Sequence, residues 1–178
     1  HGYKGVFHLS LNSSYDSIIF VKQYNSQNSS LPTSDISLSK IDDEIIFYGA
    51  KNIYRFSTDQ ENFNKIEKFN GLLQNKTVQL IRQDNNGDSW YFSEGNAGVI
   101  RKSEDGKSNN ISLPFKKLTN QFVRGLEFVY YLNDQNVFFG IENGFAHYNA
   151  LIAKDYIKSF NAYLRYMQTN NPDSIYYN

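Results

Sequence analysis

The stretch of sequence that decides the fold is TVQLIRQDNNGDSWYFS, residues 77–93. Residues 77–83 alternate apolar and polar side chains, which is the period of a half-buried β-strand. Residues 84–88 (DNNGD) contain an Asn-Gly pair, which suits the positive φ angles of a tight hairpin turn. Residues 89–93 (SWYFS) predict a second strand that is apolar enough to be buried on both faces. The stretch therefore predicts an antiparallel hairpin.

Two more strands extend this hairpin into a meander. After a turn at residues 94–98, residues 99–102 predict a third strand. The Asp105-Gly106 pair then turns the chain, and residues 111–115 predict a fourth strand. Four short strands in about 40–50 residues are typical of a β-propeller blade, with a stacked solenoid as the alternative.

The same meander recurs along the chain. A Gly-apolar-aromatic cluster recurs at steps of 47, 46 and 46 residues, with its first apolar member at Val6, Ile53, Val99 and Phe145. The apolar second strand recurs at residues 45–49, 89–93 and 136–140. A leucine precedes a β-branched residue by five positions in Leu31/Ile36, Leu73/Val78 and Leu118/Val123. We interpret Trp90, Ile46 and Val137 as equivalent core residues of the second strand.

The repeats predict an all-β fold made of antiparallel four-stranded blades. Residues 1–155 are interpreted as a partial propeller, with the end of one blade at 1–30 and further blades at about 31–70, 72–115 and 118–155. No unit carries a helical period. Because propellers close with about four to eight blades, the chain is expected to be a piece of a larger domain. Its start at His1 without a methionine is expected to be trimmed.

The C-terminal region allows two interpretations. Residues 150–168 place apolar side chains on one helical face, yet from Phe160 onward they also alternate as in a strand. Residues 170–173 (NNPD) predict a turn, and residues 174–177 (SIYY) predict the start of another strand.

Composition narrows the classes of function. The 178 residues carry no net charge, which argues against a nucleic-acid binder or a polybasic membrane-surface protein. The absence of cysteine excludes a disulfide scaffold, a thiol nucleophile and a Cys-ligated zinc site. No apolar run reaches the length that spans a bilayer. The 14 tyrosines and 14 phenylalanines suit half-buried strands.

Residues 78–92 (VQLIRQDNNGDSWYF) resemble the two-component-regulator propeller repeat, with its β-branched start, its Asp and Gly, and its Trp-containing strand. Residues 140–148 match the second half of that repeat, and residues 36–56 are a poorer copy. Residues 156–178 resemble the opening of the triple-tyrosine domain that follows such propellers, which implies the first strands of a β-sandwich. The resemblance favours the strand interpretation of the C-terminal region.

The resemblance implies an extracytoplasmic, periplasmic sensor segment of a bacterial transcriptional regulator that responds to an oligosaccharide or another small ligand. It implies no catalysis, no cofactor and no contact of this segment with nucleic acid. The expected partners are the ligand and the remainder of the same polypeptide. We also expect a homodimer, because an open end of a partial propeller leaves core surface exposed. The alternatives are a protein-binding propeller module and a fragment of a propeller lyase or glycosidase.

The residues that could carry catalysis, metal binding or sugar stacking are each interpreted as structural residues. His1, His8 and His147 lie far apart in sequence, so no metal site is predicted. Residues 84–88 lack the later bidentate Glu of a calcium loop and are interpreted as a turn. The adjacent carboxylates at residues 42–44 and 104–105 are expected to be solvated, and no catalytic residue is predicted. Trp90 is interpreted as a core residue rather than as a sugar-stacking one. The Lys116-Lys117 pair is interpreted as a solvated turn.

The predicted ligand site lies on one face of the propeller. The loops entering each first strand (residues 33–35, 74–77 and 119–121) and those between the second and third strands (50–52, 94–97 and 142–143) open on that face. They are rich in amide and charged groups, which hydrogen-bond sugar hydroxyls. The candidate ligand-binding residues are Asn75, Lys76, Glu94, Asn96, Asn120 and Gln121.

Overall fold

The protein is all-β and is built from successive antiparallel sheets. The computed structural model describes residues 1–33, 35–73, 76–103, 105–156, 166–168 and 175–177. The first sheet is a hairpin of β1 (Val6–Leu11) and β2 (Ile18–Tyr24). Two four-stranded meanders follow, and then a three-stranded one. This succession of similar meanders confirms the expected partial propeller.

The strands of the meanders follow the chain order within each sheet. The first meander contains β3 (Ser37–Ile41), β4 (Glu44–Gly49), β5 (Asn52–Ser57) and β6 (Asn62–Lys65). The second contains β7 (Val78–Gln83), β8 (Ser89–Ser93), β9 (Asn96–Lys102) and β10 (Ser108–Ile111). The third contains β11 (Val129–Asn133), β12 (Asn136–Ile141) and β13 (Gly144–Tyr148). We call them the first, second and third blades.

The fourth strand of the second blade lies earlier than predicted. Residues 111–115 were expected to form it, but β10 ends at Ile111 and a 3₁₀ helix occupies Leu113–Leu118. Pro114, at the start of this helix, has no N–H to offer a strand ladder. The helix buries Phe115 beside Trp90, so the apolar residue that suggested a strand packs into the core from a helix.

A short helix between the first two blades was not expected from the sequence. Helix α1 (Glu67–Leu73) packs Phe69 and Leu72, together with Ile66 just before it, against the core shared by these blades. Apolar side chains recur every three residues in this segment, which is compatible with a helix. The helix has only seven residues, however, and so few residues do not establish a helical period in the sequence. Asn70 joins the helix to β5, because its Oδ1 accepts the backbone N–H of Ile53 at 3.0 Å.

The two-residue turns between second and third strands give the structural alignment of the blades. Gly49 pairs with Asn52, Ser93 with Asn96, and Ile141 with Gly144. On this alignment the counterpart of Ile46 and Trp90 is Phe138, so the predicted equivalence with Val137 is wrong by one residue. Val137 is buried from the opposite face of β12, because neighbouring residues of a strand point to opposite sides.

Each core of the protein is shared by two neighbouring sheets. Tyr24 of the hairpin packs with residues of the first blade, including Phe47 and Phe63. The first and second blades enclose a cluster that includes Ile41, Ile46, Tyr48, Ile53, Val78, Ile81, Tyr91 and Ile100. The second and third enclose Trp90, Phe92, Ala97, Val99, Phe115, Phe122, Val129, Val137 and Phe139. Trp90 is 2% exposed, which confirms the prediction that it is a core residue.

Polar side chains also join the first two blades. The Asp42 carboxylate accepts the Lys102 ammonium at 2.6 Å and the Gln83 amide at 2.7 Å, and these contacts hold the pKa of Asp42 below its usual range. Asp42 and Asp43 form the tight turn between β3 and β4 with positive φ angles of 50° and 64°. These carboxylates lie in a turn, as expected, but Asp42 also bonds to the second blade instead of being only solvated.

The hairpin β1–β2 exposes apolar side chains on both faces. Phe7, Leu9, Leu11, Ile18, Ile19, Phe20 and Val21 are all exposed. By the repeat, β1 corresponds to a third strand and β2 to a fourth strand of a blade. Among the described residues no strand pairs with the outer edge of β1, which leaves that edge open.

The turn between β4 and β5 predicts a simple stabilising change. Ala50 and Lys51 form its two central positions with φ angles of 43° and 80°, although neither residue favours this conformation. Replacing Lys51 by glycine should therefore raise the free energy of unfolding by about 0.5–1 kcal/mol. Lys65→Gly, in the exposed end of β6, should instead lower it by a similar amount. Urea denaturation of the three proteins tests this, and an Lys51→Gly protein that is no more stable than the parent would refute the strain argument.

The C-terminal region is described only in part. Within residues 150–168, where helix and strand were alternatives, residues 157–165 lie outside the described residues. Beyond them β14 (Tyr166–Gln168) and β15 (Ile175–Tyr177) form a two-stranded antiparallel sheet, which confirms a strand near residue 175. The division into domains at residue 156 stays a prediction. In the described part of the chain no helix is long and apolar enough to cross a membrane.

Candidate functional site

A notch between the second and third blades brings together some of the predicted binding residues. The loop before β7, the turn between β8 and β9, and the long loop before β11 meet there around a cavity of about 440 Å³. We call this cavity the face notch. Its lining residues are Thr77, Gln79, Phe92, Glu94, Gly95, Asn120, Phe122, Arg124 and Glu127.

The tight turn at Glu94 and Gly95 forms one wall of the face notch. The two residues have φ angles of 52° and 75°, as a two-residue hairpin turn requires. The backbone N–H of Glu94 donates to Gln79 Oε1 at 2.8 Å, and Glu94 Oε1 accepts the backbone N–H of Thr77 at 3.3 Å. The first bond ties the backbone of the turn to β7, and the second holds the Glu94 carboxylate at the edge of the notch.

The opposite wall approaches the turn closely. The backbone N–H of Asn120 donates to the Gly95 carbonyl at 2.8 Å, and Asn120 itself has a φ of 60°. A Cβ atom at Gly95 would lie 2.4 Å from Asn120 Oδ1, so any other residue would displace that side chain and would also be strained by the positive φ of this position. Thr119 Oγ1 also donates to Asn96 Oδ1 at 2.9 Å. The two blades are thus hydrogen-bonded to each other at the rim of the notch.

The floor of the notch is aromatic, and its outer rim is charged. The buried rings of Phe92 and Phe122 meet edge to face with centroids 4.8 Å apart. Arg124 and Glu127 add opposite charges, and Glu127 Oε2 accepts the backbone N–H of Gly125 at 2.9 Å. An apolar floor surrounded by amides and charges suits a ligand that has both C–H faces and hydroxyl groups.

The six predicted binding residues do not all reach the notch. Glu94 and Asn120 line it, and Asn96 lies beside it through its bond to Thr119. Lys76 is exposed outside the lining, and Gln121 instead donates its side-chain amide to the Lys117 carbonyl at 2.6 Å. Asn75 lies outside the described residues.

Sequence reasoning missed Gln79, Arg124 and Glu127. The first strand of the third blade was expected directly after the loop at residues 119–121, but β11 begins only at Val129 and Val123 is exposed. The loop after Leu118 is therefore several residues longer than the loop between Leu73 and Val78. This extra length was the available signal, because long loops on a rigid scaffold carry binding residues.

The histidines and acidic turns were expected to have structural roles. His147 stacks on Phe138 with ring centroids 4.8 Å apart, and one ring nitrogen lies 2.8 Å from Asn136 Oδ1. His8 lies on exposed β1 next to the ring of Phe20. In the ranges that the structure describes, no three His, Asp or Glu side chains gather into a group that could hold a metal ion.

Comparisons with known proteins give distant likenesses in shape alone. No protein-family model matches the chain. No curated protein matches it either. Among solved structures it is similar to selenomethionine-substituted virginiamycin B lyase from Staphylococcus aureus, with 16% sequence identity and a TM-score of 0.42. The match covers 84% of this chain and 50% of that one, so the chain spans about half the length of that protein. The activity in that protein's name belongs to that protein and is not attributed to this chain.

Proposed function

We propose that this chain is the ligand-sensing part of a bacterial transcriptional regulator, and that it binds an oligosaccharide in the face notch without chemical turnover. The carrying observation is the notch itself, in which two carboxylates, amides and a guanidinium surround two buried phenylalanine rings. Sugars present hydroxyl groups at their edges and C–H groups on their faces, and this lining complements both.

The notch joins two blades, and this supports a sensing role. Its walls belong to β8–β9 of the second blade and to the loop that enters the third. A ligand that contacts both walls favours the arrangement in which they are close together. Such differential affinity for two arrangements is the requirement for transmitting a binding event. The regulator context and the periplasmic location are proposed because residues 78–92 resemble the two-component-regulator propeller repeat.

Binding of neutral oligosaccharides is the expected result of a thermal-shift screen followed by calorimetry. Short fragments of plant and microbial polysaccharides serve as probes, and a ligand at about 100 Kd should stabilise the protein by about 2.7 kcal/mol. Glu94→Gln and Arg124→Gln should each weaken binding about tenfold, because each removes a charge-assisted hydrogen bond. Lys76→Gln, exposed outside the lining, is the matched control and should bind as the parent does.

Two results would overturn this proposal. The first is that no fragment stabilises the protein. The second is release of new reducing ends or unsaturated products during incubation, which would favour the enzyme alternative. That alternative has one observation in its favour, because the carboxylates of Glu94 and Glu127 line the same notch. Loss of product formation in both Glu94→Gln and Glu127→Gln would then identify catalysis.

A further inference from the structure

The two junctions between blades are built in the same way. The first blade contributes Ile46 and Ile53 to the core that it shares with the second blade, and both side chains are buried. The second blade contributes Trp90 and Ala97 to the core that it shares with the third, and these are buried as well. Counting from the two-residue turns, Ile46 and Trp90 hold one position of the second strand, and Ile53 and Ala97 hold one position of the third strand. These two positions therefore face the next blade.

In the third blade the same two positions are held by Phe138 and Phe145, which reach the surface. Phe138 is half-buried, Phe145 is 71% exposed, and their rings meet edge to face with centroids 5.7 Å apart. Cross-strand pairing places Tyr130 and His147 on either side of Phe138, so both lie on the same face of the sheet. Tyr130 is 51% exposed, and the His147 ring stacks on that of Phe138. We call the surface formed by Tyr130, Phe138, Phe145 and His147 the leading face.

The hairpin β1–β2 presents an apolar surface on the side away from the first blade. Val6 and Tyr24 pair with each other and pack against the first blade. Leu9 pairs with Val21, and this pair points to the opposite side, as Phe7 also does, because neighbouring residues of a strand alternate between the two faces. Phe7, Leu9 and Val21 are 41%, 49% and 56% exposed. We call the surface formed by these three residues the trailing face.

The trailing face corresponds to the side by which each blade contacts the preceding sheet. The repeat places Leu9 at the position of Phe56 in the first blade and of Ile100 in the second. Phe56 packs against the core shared with the hairpin, and Ile100 is buried in the core shared with the first blade. The leading and trailing faces are therefore the two halves of the junction that occurs between the blades. Since both are exposed, they do not cover each other within one chain.

Both faces have the composition of the core of a protein interface. The leading face is aromatic, the trailing face is aliphatic and aromatic, and none of the residues that define them is Asp, Glu, Lys or Arg. Enrichment in aromatic side chains and depletion of charge distinguish interface cores from the rest of a protein surface. The chain also carries no net charge, so two copies do not repel each other. A second copy therefore offers each face a matching surface.

We infer that the leading face of one copy packs on the trailing face of a second copy, and that two such contacts join the copies into a head-to-tail dimer. The hairpin and the three blades are four sheets, so two copies supply eight. Propellers close with about four to eight blades, and a contact between two different surfaces gives a ring when it closes. The dimer contact is separate from the face notch and does not depend on oligosaccharide binding.

Sedimentation velocity of the full chain over a range of concentrations tests the dimer. We expect a species of twice the 20.7 kDa of one chain, which dissociates on dilution into monomers whose leading face is exposed. Phe145→Glu and Val21→Lys should each weaken self-association about a hundredfold, because each places a charge in an apolar contact. Leu151→Glu is the matched control, since Leu151 is 68% exposed just after β13 and outside the leading face, and it should dimerise as the parent does.

Mixing the two variants tests whether the contact is head-to-tail. All the substitutions change exposed residues, so the variants should keep the circular dichroism spectrum of the parent. In a mixed dimer of Phe145→Glu and Val21→Lys, one contact brings the introduced glutamate to the introduced lysine, and the other joins two unchanged faces. The equimolar mixture should therefore dimerise although each variant alone is monomeric. A parent that is monomeric at every concentration, single variants that dimerise as the parent does, or a mixture that stays monomeric would each overturn the inference.

Discussion

Replacing Asp84 by alanine is expected to lower the free energy of unfolding by about 2–4 kcal/mol. One carboxylate oxygen of Asp84 accepts the backbone N–H groups of Asn86 at 2.9 Å and Asp88 at 3.0 Å. The other accepts the indole N–H of Trp90 at 2.7 Å. Since Trp90 is buried, the substitution leaves a buried donor without an acceptor and also loosens the turn.

Urea denaturation followed by the fluorescence of Trp90, the single tryptophan, measures this loss. Asn85→Ala is the matched control, because Asn85 is an exposed residue of the same turn, and its effect should stay within about 0.5 kcal/mol. Asp84→Asn keeps one acceptor oxygen and should fall between the two. If Asp84→Ala unfolds at the same urea concentration as Asn85→Ala, the carboxylate does not hold the turn and the tryptophan together.

Phe139→Ala is expected to cost about 3–5 kcal/mol, the range found when a buried phenylalanine is removed. Phe139 is 1% exposed and packs against the rings of Phe115 and Trp90, with centroids 5.3 Å and 5.8 Å away. Its removal leaves a cavity in the core between the second and third blades. Because neighbouring blades share each core, we expect the third blade to open before the first.

Phe145→Ala provides the control in the same blade, because Phe145 is 71% exposed on β13, and a change below about 0.5 kcal/mol is expected. Equilibrium denaturation gives the size of each effect. Hydrogen exchange gives its location: Phe139→Ala should speed exchange of the β12 amides well before those of β4. Equal acceleration in both strands would show that the blades unfold together rather than in sequence.

The sequence predicts the second blade best because its signals are local. Residues 77–93 combine a run of alternating apolar and polar residues with a turn that contains Asn-Gly, and β8 occupies residues 89–93 as expected. The prediction fails where a longer-range contact decides the outcome. Phe115 suggested a strand by its apolar neighbours, but Pro114 and the aromatic core between two blades favour a 3₁₀ helix there.

The face notch could be predicted only in part, for a similar reason. Glu94 and Asn120 were found because turns of equivalent position recur in each repeat. Arg124 and Glu127 belong to a loop that has no equivalent of the same length in the other repeats, so comparison of the repeats does not predict them. Gln79 lies within strand β7, and only the fold shows that it faces the notch.

The sharing of every core between neighbouring sheets has a consequence for how such a protein evolves. Duplication of a whole unit of about 46 residues adds a sheet whose two faces match interfaces already present. Duplication of half a unit instead leaves rows of aromatic side chains in water. Selection therefore favours growth and shrinkage in whole units, and members of one lineage are expected to differ in length by multiples of that step.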